Sequence, residues 1–237
     1  MPGILYLIPV PLGESESTKL FPPYNETLIK TLSHFIVEDV RSARRFLKRM
    51  DAKININELT FLTLNEQTRA QEIPALIQPL LQGISVGLLS EAGCPAVADP
   101  GSAAVDLAQK AGIQVVPLIG PSSILLSLMA SGLNGQNFAF VGYLPIENAA
   151  RIKMLKALEK RSSVENQTQI FIETPYRNDK MMNELLQHLS PNTRLCVASE
   201  VSLPNESIQT KTIAEWKREI PNLNKKPVVF LISGATH

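Results

Sequence analysis

Residues 86–123 read VGLLSEAGCPAVADPGSAAVDLAQKAGIQVVPLIGPSS, and the reading of this stretch decides the fold. It opens on an apolar run at 86–90 and closes on another at 115–119, and between them 103–111 carries a helical pattern rich in small residues. Strand, helix and strand in that order form a βαβ unit, whose crossover joins parallel strands. Val86-Gly-Leu-Leu is apolar on successive positions, as a strand covered on both faces requires. The connection from strand to helix, 90–101, holds two glycines, two prolines, three alanines and two carboxylates. Side chains that small either let a ligand lie against backbone N–H and C=O groups or merely permit tight packing. Composition alone leaves both readings open.

The same alternation extends outward. Strands are expected at 4–9, 35–38 and 59–64 before the block, and at 138–143, 169–173, 195–199 and 228–233 after it. Val228-Val-Phe-Leu-Ile is again apolar on successive residues and predicts a parallel strand. Helical stripes occupy 42–50, 67–81 and 122–131, and 13–26 is a polar, proline-bearing loop. Gly120-Pro121 breaks the pattern, and Ser122 and Ser123 are good residue types to start a helix. The expectation is an α/β protein of two α/β domains, 1–118 and 119–237, with largely parallel or mixed sheets.

Composition excludes several classes. At 44% hydrophobic and 19% charged residues the chain is globular, not disordered. No apolar run approaches the roughly 20 residues that span a bilayer, so no membrane association is expected. The N-terminal MPGILYLIPVPLG lacks a basic leader and is broken by Pro9, Pro11 and Gly13, so it reads as a buried strand with its turn. Cys94 and Cys196 lie far apart without CxxC spacing, which fits a reducing cytoplasm better than a disulfide or zinc site. His34, His188 and His237 are scattered, so no metal is expected, and no phosphate loop of the form GxxxxGK[ST] occurs. A net charge of +1 is low for a dedicated nucleic-acid binder. RNA contact would have to be local. Arg41, Arg44, Arg45, Lys48 and Arg49, with Lys53 beyond, form the strongest basic segment, read either as a phosphate-binding face or as a solvated one.

In open α/β sheets ligands sit beyond the carboxyl ends of strands, and three such ends here are rich in Gly, Pro and Ser: 9–13, 90–101 and 118–123. SEAGCPAVADPG followed by AGIQVVPLIGPSSILLSLMASGL resembles the signature block of the ribosomal RNA small-subunit methyltransferase I family, roughly S-D-A-G-T-P-x-x-S-D-P-G, then A-G-I-x-V-x-P-x-P-G-P-S, then a helix ending A-S-G-L. PVPLGE, VEDVRSARRFLKR, RAQEIPALIQPLLQG, VGYLP and IETPYR are similar to further family segments, so the likeness covers nearly the whole chain.

The resemblance implies a tetrapyrrole-methylase-like fold, S-adenosylmethionine bound in the cleft between the domains, a homodimer, and 2′-O-ribose methylation of 16S ribosomal RNA. By position it implies cofactor contacts at Pro11, Leu12, Gly13, Ser90, Gly93, Cys94, Val97, Ser122, Ser123, Ile172 and Ala198. The chain departs from the family pattern at Leu62-Thr-Leu-Asn65, where a His-Glu-His-Asn run is usual. It departs again at Tyr176, at Ser199, and at Val40 and Cys94, where a histidine, an arginine and two threonines are usual. These are mostly polar positions expected to face substrate, so a tetrapyrrole or other small molecule, or a catalytically silent cofactor binder, are the alternatives.

Three carboxylates are candidates for chemistry. Glu38 and Asp39 follow a strand and could orient or deprotonate a hydroxyl nucleophile, although Asp39 also suits a helix N-cap. Glu173 follows an apolar strand just before a proline turn. Asp99 is expected to hold its loop by capping the helix after Gly101, and Trp216 to serve core or dimer packing.

Overall fold

Alternation along the first strands sorts their side chains onto two faces. In the computed structural model, which describes residues 1–13 and 20–234, the chain divides into two compact units, Met1–Ser122 and Ser123–His237. The first unit runs β1 (Leu5–Ile8), α1 (Pro23–Ile29), β2 (His34–Val37), α2 (Val40–Met50), β3 (Thr60–Thr63), α3 (Ile73–Leu76), α4 (Gln78–Leu81), β4 (Val86–Leu89), α5 (Ser102–Lys110) and β5 (Val115–Pro117). Its sheet has the order β3-β2-β4-β1-β5, and every pairing is parallel. Ile8, Phe35, Val37 and Leu89 pack against Ile29, Phe46 and Leu47 of α1 and α2. Leu5, Ile36, Val86 and Leu88 pack on the other face against Leu76, Leu80, Ala104 and Ala108 of α3, α4 and α5. The connection leaving β1 therefore crosses one face and the connection leaving β4 the other, although the two strands are neighbours. That is a topological switch point.

Residues 119–122 stay with this unit. Leu118 N donates to Leu7 O at 2.9 Å, Asn25 Nδ2 to Ile119 O at 2.8 Å, and Cys94 Sγ approaches Pro121 O at 3.5 Å.

The second unit runs α6 (Ser123–Ser131), β6 (Phe138–Tyr143), α7 (Asn148–Glu165), β7 (Thr168–Ile172), α8 (Asn178–His188), β8 (Arg194–Ser199), β9 (Ser207–Thr212), α9 (Ile213–Trp216) and β10 (Val228–Ser233). Its sheet order is β6-β7-β10-β8-β9; only β6 and β7 pair in parallel. Phe171 and Phe230 stack with ring centroids 5.7 Å apart, in a core shared with Leu155, Met182, Leu185 and Trp216. Trp216 is buried and its indole N–H donates to Leu195 O at 2.9 Å, so it serves core packing.

Four expectations are corrected. β10 is antiparallel to both neighbours, not parallel: its successive apolar residues report that α6 and α7 contact it, and coverage does not set direction. The helix expected at 67–81 is two single turns, because Pro74 and Pro79 lack the N–H that a continuous helix would use. The polar loop expected at 13–26 already contains the start of α1, with Pro23 in its first turn; residues 14–19 lie outside the described residues. β9 was not expected at all. It is a polar edge strand, SIQTKT, without an apolar run to betray it. The capping box that follows it, Thr212 with Glu215, was legible as T-x-x-E.

Candidate active site

Because the first sheet is wholly parallel, the loops after β1, β2, β4 and β5 emerge at one edge. Val10 and Gly93 exchange backbone hydrogen bonds of 2.9 and 3.1 Å, tying the loop after β1 to the loop after β4. Gly93 has φ +71°, and a Cβ built on it would lie 3.2 Å from Leu12 Cδ2 and 3.6 Å from Pro121 O. Three loops thus meet at one α-carbon.

The 90–101 loop is held open from within. Ser90 Oγ donates to Gly93 O at 3.0 Å. Asp99 Oδ1 accepts from Ala96 N and from Gly101 N, both at 2.8 Å. Asp99 therefore fastens the loop, as expected, but by bonds within the loop instead of a side-chain cap on α5. Ala96 and Ala98 adopt φ +65° and +59°, left-handed conformations that cost non-glycine residues about 1–2 kcal/mol each. Val97 between them is 46% exposed. Burial pushes the Cys94 thiol above its ordinary pKa, so it stays a neutral, half-buried side chain.

Pro11, Leu12, Gly13, Ser90, Gly93, Cys94, Val97 and Ser122 are all on this edge of the first unit. Part of it is a cleft of about 240 Å³ between Val10–Gly13, Leu89–Glu91 and the α2 residues Ser42, Arg45, Phe46 and Arg49. Along the start of α2 an open trough of about 660 Å³ runs past Asp39, Val40, Arg41, Arg44 and Arg45.

The two neighbouring carboxylates at the end of β2 differ in kind. Asp39 is the N-cap of α2: its Oδ1 accepts from Ser42 N at 2.7 Å, which holds its carboxyl below the usual range. Glu38 is half-buried and caps nothing. Burial first, and then the charges of Glu91, Asp99, Glu66 and Asp39, push its pKa up. Because the folded state binds this proton more tightly than the unfolded chain does, the ionised carboxylate opposes folding. That opposition vanishes below the ordinary glutamate pKa and grows as pH rises through the raised one. Glu38→Gln should therefore raise the melting temperature slightly, because the neutral amide carries no charge for burial and the neighbouring carboxylates to oppose. The gain should appear at neutral pH and disappear in mild acid, which thermal melts across a pH series check.

In the second unit the parallel β6 and β7 end at the same edge as β8, while β10 enters there. Ile172 is the last residue of β7 and half-buried; Ala198, in β8, is fully buried, so the backbone beyond it is what reaches this edge. Ser123 opens α6. Glu173 is 6% exposed, and its Oε1 accepts from Thr174 N at 2.6 Å and from Arg177 Nη2 at 2.7 Å. The sequence reading missed Arg177 as its partner, although i and i+4 across a short proline turn could have suggested it. Beyond β8, Glu200 and Ser202 sit at φ +53° and +64°, with Lys226 Nζ 3.5 Å from Glu200 Oε2.

The first-unit edge suits a sulfonium nucleoside. The 90–101 loop contains no basic side chain, its two carboxylates and Glu38 supply negative charge, and its small residues expose backbone. Leu12, Gly13, Gly93, Cys94 and Val97 line this edge and are the residues that could hold one. Such a group supplies an electrophilic methyl; the protein's part is to orient the acceptor in line and exclude water.

Comparison with known proteins defines the class. Residues 18–217 match the family model of the Tetrapyrrole (Corrin/Porphyrin) Methylases, so the chain belongs to that family and is an S-adenosylmethionine-dependent methyltransferase. Two solved structures share the fold. One is the methyltransferase CobJ, at TM-score 0.66 and 16% identity, over 99% of this chain and 95% of that one. The other is uroporphyrin-III-C-methyltransferase from Thermus thermophilus, at TM-score 0.56 and 17% identity, over 98% and 93%. Within the family the chain is 33% identical to ribosomal RNA small subunit methyltransferase I of Vibrio cholerae, over 98% of this chain and 77% of the relative. It is 30% identical to the protein of the same name from Synechocystis sp., over 99% and 80%.

Proposed function

We propose that this enzyme methylates ribosomal RNA of the small subunit, at a ribose 2′-hydroxyl of 16S RNA, and so works in the cytoplasm. The observation that carries the reading is near-full-length similarity to enzymes named for that RNA, at 33% identity in the Vibrio cholerae relative. The methyl donor lies against Pro11–Gly13, Ser90, Gly93, Cys94, Val97 and Ser122 at the strand-end edge of the first unit. Glu38 is the carboxylate that orients the attacking hydroxyl and takes its proton; Asp39 is occupied as a cap. The deciding experiment is transfer of labelled methyl groups to small ribosomal subunits from a strain lacking this gene, followed by mapping of the labelled nucleotide. Transfer to a tetrapyrrole and not to the particle would replace this reading.

The basic face of α2 is the phosphate-binding surface in this proposal. Arg41, Arg44, Arg45, Lys48 and Arg49 are all exposed, and three of them line the trough beside Glu38-Asp39. Arg45→Glu combined with Arg49→Glu should weaken RNA binding and lower the slope of log K against log salt by about 1–2, near 0.7–0.9 per lost phosphate contact. Anisotropy titrations at several salt concentrations measure it. An unchanged slope would remove α2 from the RNA surface.

A homodimer is part of the same proposal. Leu125 and Met129, one turn apart on α6, are 50% and 78% exposed, apolar surface that an interface would cover. Light scattering should give about twice 26.1 kDa, and a monomer mass would refute it.

A further inference from the structure

We propose that the strand-end edge of the second unit is a stacking platform for an unpaired nucleotide of the RNA substrate, formed by Tyr143 and Tyr176 and backed by Arg177. The inference rests on the ribosomal RNA reading above and adds the place where a base is held.

The chain has four tyrosines, and two of them stand exposed at this one edge: Tyr143 at 56% and Tyr176 at 77%. Tyr143 ends β6 and its Cα pairs with that of Ile172, the end of β7; Tyr176 follows β7 by four residues. Neither is a loose surface residue. The register of β6 slips between Phe140 and Tyr143, and Gly142 takes φ +72° in the slip, with open space where its Cβ would be. A bulge of this kind re-aims the next side chain, and its glycine is required by the backbone angle, not by crowding. Tyr176 sits in a single 3-10 turn, Pro175–Arg177, fastened by Arg177 N to Thr174 O at 2.9 Å and by Lys225 N to Pro175 O at 3.0 Å.

Arg177 completes the arrangement. Its Nη2 is gripped by the buried Glu173 carboxylate at 2.7 Å, and its Nε is buried without a hydrogen-bond partner among the described residues. The side chain is 36% exposed, so one side of a fixed guanidinium remains at the surface beside Tyr176. Glu173 is then a positioning residue for Arg177. Lys225, exposed and at φ +59°, adds a cation next to the same turn. Exposed aromatic side chains on fastened backbone, with cations beside them, are what unstacked RNA bases and their phosphates bind, because every base has a π-face and every linkage a charge. A duplex would offer the tyrosines nothing, since its bases are already stacked.

The test measures methyl transfer to small ribosomal subunits at varied particle concentration, for the parent and for Tyr143→Ala, Tyr176→Ala, Tyr143→Phe and Tyr176→Phe. Each alanine variant should raise KM for the particle about tenfold, the loss of one stacked base. The phenylalanine variants should stay near the parent. Calorimetric affinity for S-adenosylmethionine and the solution mass should hold in all four. Unchanged KM in both alanine variants overturns the platform. So does a change of mass, which would make the edge a contact between copies of the chain. A parent that transfers no methyl to the particle refutes the RNA reading itself, and binding of a fluorescein-labelled oligouridine then decides the platform. Tyrosine-dependent binding upholds it; no binding, or equal binding by the alanine variants, overturns it.

Discussion

Gly93→Val should abolish detectable binding of S-adenosylmethionine while leaving the second unit folded. The α-carbon of Gly93 is where three strand-end loops meet, at φ +71°, with Leu12 Cδ2 and Pro121 O at 3.2 and 3.6 Å from any Cβ. A β-branched side chain strains that backbone angle and adds two methyl groups in the direction of Leu12 and Pro121. The loop can accept them only by parting Gly93 from Val10, which breaks both bonds of the bridge. The expected result is a dissociation constant raised at least 100-fold, or about 2.7 kcal/mol of binding free energy, read by calorimetry. Gly93→Ala should fall between, since its single methyl meets Leu12 alone at close range. Gly112→Ala is the control. Its φ of +68° imposes a similar backbone penalty, but nothing lies within 4 Å of the new methyl, and the turn precedes β5, at the end of the parallel sheet opposite the loops, so cofactor affinity should hold. Binding by Gly93→Val at parental strength would show that the cofactor does not use this junction.

Arg151→Ala should be the most destabilising single change in the second unit. Arg151 and Glu184 are 4% and 7% exposed and form a two-pronged pair, Nε to Oε2 at 2.5 Å and Nη2 to Oε1 at 2.6 Å. The remaining guanidinium donors reach Pro145 O, Ile146 O and Asn148 Oδ1, so one side chain fastens α7, α8 and the turn leaving β6. Removing the arginine leaves the buried carboxylate with only the largely exposed Lys180, 4.0 Å away, and two carbonyls without a donor, an effect of about 3 kcal/mol or more. Urea unfolding followed by the single tryptophan, Trp216, reports on this unit, and the midpoint should fall by about 1–3 M. Arg151→Met with Glu184→Leu should recover much of the loss, because no charge is then stranded. The pair also sets an acid limit. Arg151 holds the Glu184 carboxyl below its ordinary pKa, so its contribution is complete above that ordinary value and is lost as pH falls through the lowered one.

Much of the first unit was legible because each of its strands is short, apolar and followed by a helix. Apolar strands and helical stripes alternate through it, apart from the proline-broken 67–81 and the α1 residues read as loop, and the parallel order places every small-residue loop on one edge. The candidate loops at 9–13, 90–101 and 118–123 could be found that way. The role of Asp39 as a cap was legible too, since Asp before a helix is a local signal. Less of the second unit was readable. The apolar run at 228–233 carries burial but not direction, and β9 is a polar edge strand whose partner, β8, supplies the order that its own sequence lacks.

What the sequence determined by itself was most of what neighbours along the chain settle: the apolar strands, the main helical stripes, the Asp39 cap, the glycine-rich connections and the family signature. Only the tertiary structure decided which charges meet. The Glu38 pKa is pushed up by burial and by Glu91 and Asp99 from a loop more than fifty residues away, and Arg151 finds Glu184 across 33 residues. Coulombic and desolvation effects act through space at a few ångströms. A carboxylate's role as cap, base or anchor is therefore set by what folding brings beside it, and no local pattern records that.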